Sequence, residues 1–503
     1  MDQSLVSRIV GYTLTKGVFN DSTSNLPQRV AIVAEANHAN QGSLDNNGTQ
    51  ITSAQQAGIL YGYGSPIYHI ARILFPRSGG GIGGVPVIVY AQDEAVGGAS
   101  KIITVTPSGT ATGNATHTLY IAGRAGVDGQ FYDINIETGD TVSDITAKIE
   151  DAVNNVLGAP VVASDDTYSV ALETKWYGLT ADALTVEVLT NNKPVGIAYA
   201  TANTQSGSGT PSVQAALDQF ANDWVTIVIN GYGTQANVVS TLEAFNGIPD
   251  ETNPTGRYAP TIWKPLIAIT GSVADNPSTF TDTKLSEVTI AIAPAPLSSG
   301  FQFEAAANMA VLFAPIMNNT PHLDVNGKSY PDMPVPLTGG IGSMASYTNR
   351  NVFVQKGCST VDLVANRYTV QDFVTTYHPV GELPPQYRWC RNLVGVDFNV
   401  RFGYLLLEQV NVVDHVIAND NDTVSAARVI KPKMFKGLLF NYFADLSRRG
   451  LISDVAFSEG RTTVAISTTN PDRLEVFFPY KRTGIARIIA TEAQAGFNFG
   501  VIQ

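Results

Sequence analysis

Few residues in this 503-residue chain have the types and spacings that do chemistry. The histidines are His38, His69, His117, His322, His378 and His415. None has a second His or a Cys three or four positions away, the spacing that sets two metal ligands on one helix face. The neighbours Asp414 and His415 would point apart. Asp420-Asn421-Asp422 opens like a calcium loop but lacks the glycine and the closing glutamate. The glycine run at 79–84 lacks the Lys-Ser/Thr pair of a phosphate loop and does not fit G-x-G-x-x-G. Ser343, after Gly339-Gly340-Ile341-Gly342, lacks the flanking glycines of a nucleophile elbow. With Cys358 and Cys390 as the cysteines, a disulfide framework is excluded, and two reduced thiols in a reducing cytoplasm are expected. These residues predict no catalytic site, no metal and no cofactor.

The remaining chemistry is charge. The chain carries a net charge of −12, unevenly spread. Residues 350–503 hold 17 Lys+Arg against 14 Asp+Glu, and residues 1–349 hold 14 against 29. An acidic bulk argues against nucleic acid as a partner. Lys431, Lys433, Lys436, Arg448 and Arg449 form a basic stretch without interleaved stacking aromatics. It reads either as a solvated helix face or as an electrostatic contact for an acidic protein surface. A charged fraction of 15 % suits a protein that buries surface against copies of itself. No apolar run is long enough to span a membrane. Met1-Asp2-Gln3-Ser4 lacks the regions of a signal peptide, so none is expected.

The secondary structure that carries these residues is expected to divide the chain into several domains, α+β and α/β in class. Residues 1–27 alternate as an extended arm, with Ile9, Tyr12 and Leu14 as its apolar anchors. Residues 28–99 form the first part of an α/β core, with strands at 30–34 and 85–90. Helices are expected after Ser53, with Gln56 closing a capping box, and at 68–75. Residues 100–205 read as an inserted β-rich domain, with strands at 102–106, 118–122, 132–136 and 184–188. Its one helix follows Thr141 and places Ile145, Ile149, Val153 and Val156 on one face. Residues 206–345 alternate strand and helix, which predicts a parallel sheet: helices at 212–222, 237–245 and 301–317, strands at 224–229, 265–270 and 288–293.

Residues 346–484 form a C-terminal α+β domain. A helix is expected over 428–449, with Pro432 in its first turn and Gly450 as its left-handed cap. Strands are expected at 462–467, 473–478 and 485–490. Residues 485–503 form a second arm, anchored by Ile488, Phe497, Phe499 and Val501. A terminal strand with an apolar face and no following partner is an edge for another chain to cover.

On these residues the chain resembles a contractile tail sheath protein of the Mu-like bacteriophage type. The resemblance rests on Gly357-Cys358-Ser359-Thr360, Phe373-Val374-Thr375-Thr376-Tyr377, Leu446-Ser447-Arg448-Arg449-Gly450-Leu451 and Asn470-Pro471-Asp472-Arg473-Leu474-Glu475-Val476-Phe477-Phe478-Pro479. A weaker echo covers 211–320, including Ala305-Ala306-Ala307, and the insert carries Thr110-Ala111-Thr112-Gly113 and Leu119-Tyr120-Ile121-Ala122-Gly123. Residues 378–392 depart from the family, with Pro384-Pro385, Trp389 and Cys390 in place of a lead into a leucine-rich helix.

The resemblance implies a helical stack of hexameric rings around a tail tube, with baseplate and tail terminator proteins as further partners. The C-terminal sheath core domain would line the tube and be completed by the terminal arms. Lys431, Lys433, Lys436, Arg448 and Arg449 would face an acidic tube. The location implied is the virion tail, assembled in the host bacterial cytoplasm, with no direct membrane insertion. A tailocin or other non-phage contractile device would use the same subunit, and a non-contractile structural virion protein is the further alternative.

Overall fold

Val30-Ala31-Ile32-Val33-Ala34 is apolar at every position, the composition of a strand covered on both faces. In the computed structural model, which describes residues 25–336, 339–495 and 497, Val30–Glu35 is buried throughout and lies inside a six-stranded sheet. Its neighbours are Ile227–Asn230 on one side and Val87–Gln92 on the other, both parallel. Ile267–Ser272 and Ile290–Pro294 continue the parallel order, and Thr49–Ile51 closes the far edge antiparallel. The parallel sheet expected from alternating strands and helices is therefore present. The alanines of Gln302–Asn319 let its backbone come close to the sheet. A Cβ on Gly271 would lie 1.7 Å from the Gln302 carbonyl oxygen.

Local signals held where they were local. Ser53 accepts from the Gln56 N–H at 3.1 Å and opens Ala54–Tyr61. The reciprocal bond goes elsewhere: the Gln56 side chain accepts from Thr52, not Ser53. Thr141 and Asp144 form a complete capping box on Val142–Asn154, which buries Ile145, Ile149 and Val153. The 68–75 helix begins earlier, at Pro66, because Ser65 caps it through the Tyr68 N–H. The expected 212–222 helix shrinks to Gln214–Asp218. The Asn/Gly-rich 36–50 segment holds a 3-10 turn at His38–Ser43.

The insert builds a four-stranded antiparallel sheet from Ile197–Gln205, Ile102–Gly109, Val170–Thr174 and Val161–Asp165, and a three-stranded one from Val186–Leu189, Ala115–Ile121 and Asp133–Ile136. Three of these strands were not expected. Val161–Asp165, Val170–Thr174 and Ile197–Gln205 mix Ala, Ser, Thr and acids, so their pattern is weak until a neighbour orders them.

By contacts the described chain divides into two units. One comprises Pro27–Val400 with the segment from Arg482 onward, and the other Arg401–Lys481 with the residues before Pro27. In the smaller unit, the helix starts at Pro432, not 428, since Val429–Ile430 pairs as a short parallel strand with Val416–Ile417. The helix buries Phe435, Leu439, Tyr442, Phe443 and Leu446, and Gly450 takes a positive φ of 71° after its end. The strands expected at 462–467 and 473–478 are present as Thr463–Ile466 and Leu474–Phe477, which pair antiparallel. The strand expected at 485–490 is absent: Arg487 is drawn into an ion pair, and the consecutive Ile488 and Ile489 are 87 % and 86 % exposed. Ile9, Tyr12, Leu14, Phe499 and Val501 lie outside the described residues.

Candidate assembly surfaces

The residues first weighed for chemistry are held in structural roles. His117 is bonded through Nδ1 to the Tyr199 hydroxyl at 2.7 Å and through Nε2 to the Lys193 carbonyl at 2.8 Å. His38 stacks on Tyr177 and meets Glu94 at 2.7 Å. Buried His69, beside Phe301 and Phe303, is driven well toward its neutral form by desolvation, with Arg72 and Arg124 adding to the effect. Cys358 and Cys390 are free and buried, and burial pushes both thiols up. Among the described residues, no group of three or more His, Cys, Asp or Glu comes together as a metal site.

The glycine run lines one rim of a cleft with Tyr68, Arg72, Arg77, Asp128 and Asp332. Its cations are matched within it. Arg72 pairs with Asp332 at 2.7 Å, and the Tyr68 hydroxyl donates to Asp128. Behind it, Arg124 of the insert reaches fully buried Glu304 at 3.0 Å.

The motif 357–360 positions backbone. Gly357 has φ of 68°, and a Cβ there would meet the Thr376 carbonyl oxygen at 2.5 Å. Ser359 Oγ donates to the Val374 carbonyl at 3.2 Å and accepts from the Val374 N–H at 3.1 Å. Segment 373–377 then meets the edge strand of the sheet through one isolated antiparallel bridge. The Thr376 N–H donates to Ile290 at 2.9 Å, and Thr375 bridges Ala291.

The basic stretch separates on inspection of its side chains. Lys433 and Arg448 are exposed, Lys436 is half-buried over the Phe440 ring at 5.6 Å, and the Lys431 ammonium donates to the Asp422 carbonyl. Arg448 pairs with Asp445 at 2.6 Å. Arg449 differs: its side chain is 13 % exposed and bonds Asn25 at 2.6 Å and Asp445 at 3.6 Å. Lys433, Lys436 and Arg448 thus share the outer face of Pro432–Arg448, whereas Arg449 turns inward.

The hairpin Thr463–Ile466 and Leu474–Phe477 stands as a two-stranded sheet among the described residues. It packs on the helix Pro432–Arg448, with Phe478 beside Phe443, and its strands meet no third strand among the described residues. Phe477 is 61 % exposed on its outer face. The C-terminal segment leaves Ile488 and Phe497 exposed.

No family model matches the chain. Over 442 residues it is 21 % identical to the Mu-like prophage FluMu tail sheath protein of Haemophilus influenzae, covering 85 % of this chain and 84 % of that protein. The chain is similar to a tail sheath protein over most of its length. It also superposes with the crystal structure of a sheath tail protein from Desulfitobacterium hafniense at a TM-score of 0.45 and 12 % identity, covering 94 % of this chain and all of that one.

Proposed function

We propose that this chain is the subunit of a contractile tail sheath. It stacks as hexameric rings around a tail tube and shortens to drive the tube through a bacterial envelope. The observation that carries this reading is the similarity to a tail sheath protein across nearly the whole of both chains. The sheath core domain is 346–484, the insert is 100–205, and the arms are 1–27 and 485–503. The arms add strands to neighbouring copies, through Ile9, Tyr12 and Leu14 at one end and Ile488, Phe497, Phe499 and Val501 at the other. The two-stranded hairpin supports this reading, since it is a sheet with room for more strands. Lys431, Lys433, Lys436 and Arg448 face an acidic tube, and baseplate and terminator proteins bound the stack. Subunits assemble in the host cytoplasm and end in the virion tail. Contraction needs no nucleotide if the extended lattice is metastable and released at one end.

The test is negative-stain electron microscopy of the full chain, alone and with its tube protein, beside a chain lacking residues 494–503. Striated tubes from the first and monomers from the second are expected. Tubes from the truncated chain would rule out C-terminal strand exchange, and single particles from the full chain with its tube protein would rule out a sheath.

A further inference from the structure

Residues 384–392 form one wall of a clamp on the C-terminal segment. Arg482 donates through Nε and Nη2 to both oxygens of Asp397, each at 2.7 Å, and through Nη1 to the Gln386 carbonyl at 3.1 Å. Arg391, 1 % exposed, donates to the Thr483 carbonyl at 2.8 Å and the Thr483 hydroxyl at 3.0 Å, and also to the His322 carbonyl at 3.0 Å. The Arg487 guanidinium lies 3.6 Å from the centre of the Trp389 ring. It pairs with Asp324, whose side chain is 3 % exposed, and with Asp372 at 3.7 Å. One residue later, at Ile488, the chain is exposed.

A buried guanidinium and a buried carboxylate both cost free energy when a partner is withdrawn. Removing residues 482–487 would strip Thr483 from Arg391, Arg482 from Asp397 and Arg487 from Asp324. This stretch therefore belongs to the larger unit and is not part of a detachable arm.

We infer that residues 482–487 are a fixed root, so that the C-terminal arm proposed above as 485–503 exchanges only from Ile488 onward. This rests on the strand-exchange reading above. The root also defines where tension goes. A neighbour pulling on the arm pulls on Arg487 and Trp389. Trp389 bridges Val374, the Arg388 carbonyl accepts from the Thr375 N–H at 2.7 Å, and Thr375 bridges Ala291 in the parallel sheet. Pull between subunits thus reaches the six-stranded sheet without passing through residues 401–481.

The experiment uses the full chain with Arg487→Ala, beside the parent and the chain lacking 494–503. Amide exchange over 483–489 is read by mass spectrometry, and the denaturant resistance of tubes grown with the tube protein by sedimentation. The expected result is a folded monomer that melts below the parent because buried Asp324 loses its partner, exchange over 483–489 about tenfold faster or more, and tubes that disperse at lower denaturant. Arg487→Met with Asp324→Asn restores the melting but not the tubes. Tubes of Arg487→Ala as resistant as the parent's, while the truncated chain makes none, would overturn the root and leave strand exchange standing. Tubes from the truncated chain would remove strand exchange and the root with it. If Arg487→Ala aggregates, Arg487→Met with Asp324→Asn removes both charges without stranding either, and the same outcomes apply.

Discussion

Two buried carboxylates show what single residues contribute. Glu35 ends the strand Val30–Glu35 with its carboxyl buried, bonded to the Thr180 hydroxyl, which also accepts from Trp176 Nε1 at 2.9 Å. Desolvation, reinforced by Glu94, raises its pKa from 4.5 to about 8 against that hydrogen bond. Between those values the folded chain holds a proton that the unfolded chain has lost. This stability is present in full below about 4.5 and is gone above about 8. Glu35→Gln should flatten that slope, gaining on the parent as pH rises from 5 to 8.5 in denaturant melts, and parallel pH profiles would contradict it. Glu304 is the second case. Arg124→Ala strips its short contact from the insert and should cost about 3–5 kcal/mol, read as a fall in the denaturation midpoint. Arg124→Met with Glu304→Gln should recover most of it. The caps at Ser53 and Thr141 were legible because donor and acceptor sit three residues apart. The Arg124–Glu304 pair was not, because its partners are 180 residues apart and nothing local marks them.

At the scale of elements, the helix Pro432–Arg448 and the Arg449 that follows it divide four of the five basic candidates by angle. Lys433, Lys436 and Arg448 lie outward, and Arg449 is bonded to Asn25 and Asp445. Reversing Lys433 and Lys436 to Glu should leave the monomer's melting unchanged and abolish co-sedimentation with the tube protein. Arg449→Glu should instead lower the melting temperature, since it sets a carboxylate beside Asp445. Equal loss of tube binding with no change in melting for Arg449→Glu would contradict this division. The buried stripe Phe435, Leu439, Tyr442, Phe443 and Leu446 follows the 3.6-residue period, which depends on one element alone. The start of the helix was misjudged because Val429 and Ile430 are claimed by a strand from elsewhere in the chain. The expected strand at 485–490 failed for a related reason. An apolar run becomes a strand only beside a ladder partner, and here the clamp on Arg487 fixes the backbone first.

For the whole molecule, the prediction is that assembly depends on the two ends while folding does not. Deleting 494–503 should leave the melting of the monomer within a degree or two of the parent, because the described part of that stretch, residues 494, 495 and 497, is exposed. A large loss of stability would mean the segment packs within its own subunit. The parallel-sheet strands, the Ala-rich helix, the β-rich stretch at 100–205 and the order of motifs that resembles tail sheaths were all readable from the amino acids. Those depend on composition, on short periods and on caps closed within a few residues. Packing alone brings 373–377 to the edge of the parallel sheet and Trp389 and Arg391 to the C-terminal segment. It also decided which cations face outward. Each of these joins residues far apart in the chain, and hydrogen-bond and ion-pair geometry exists only once packing has brought such residues within about 3 Å of each other.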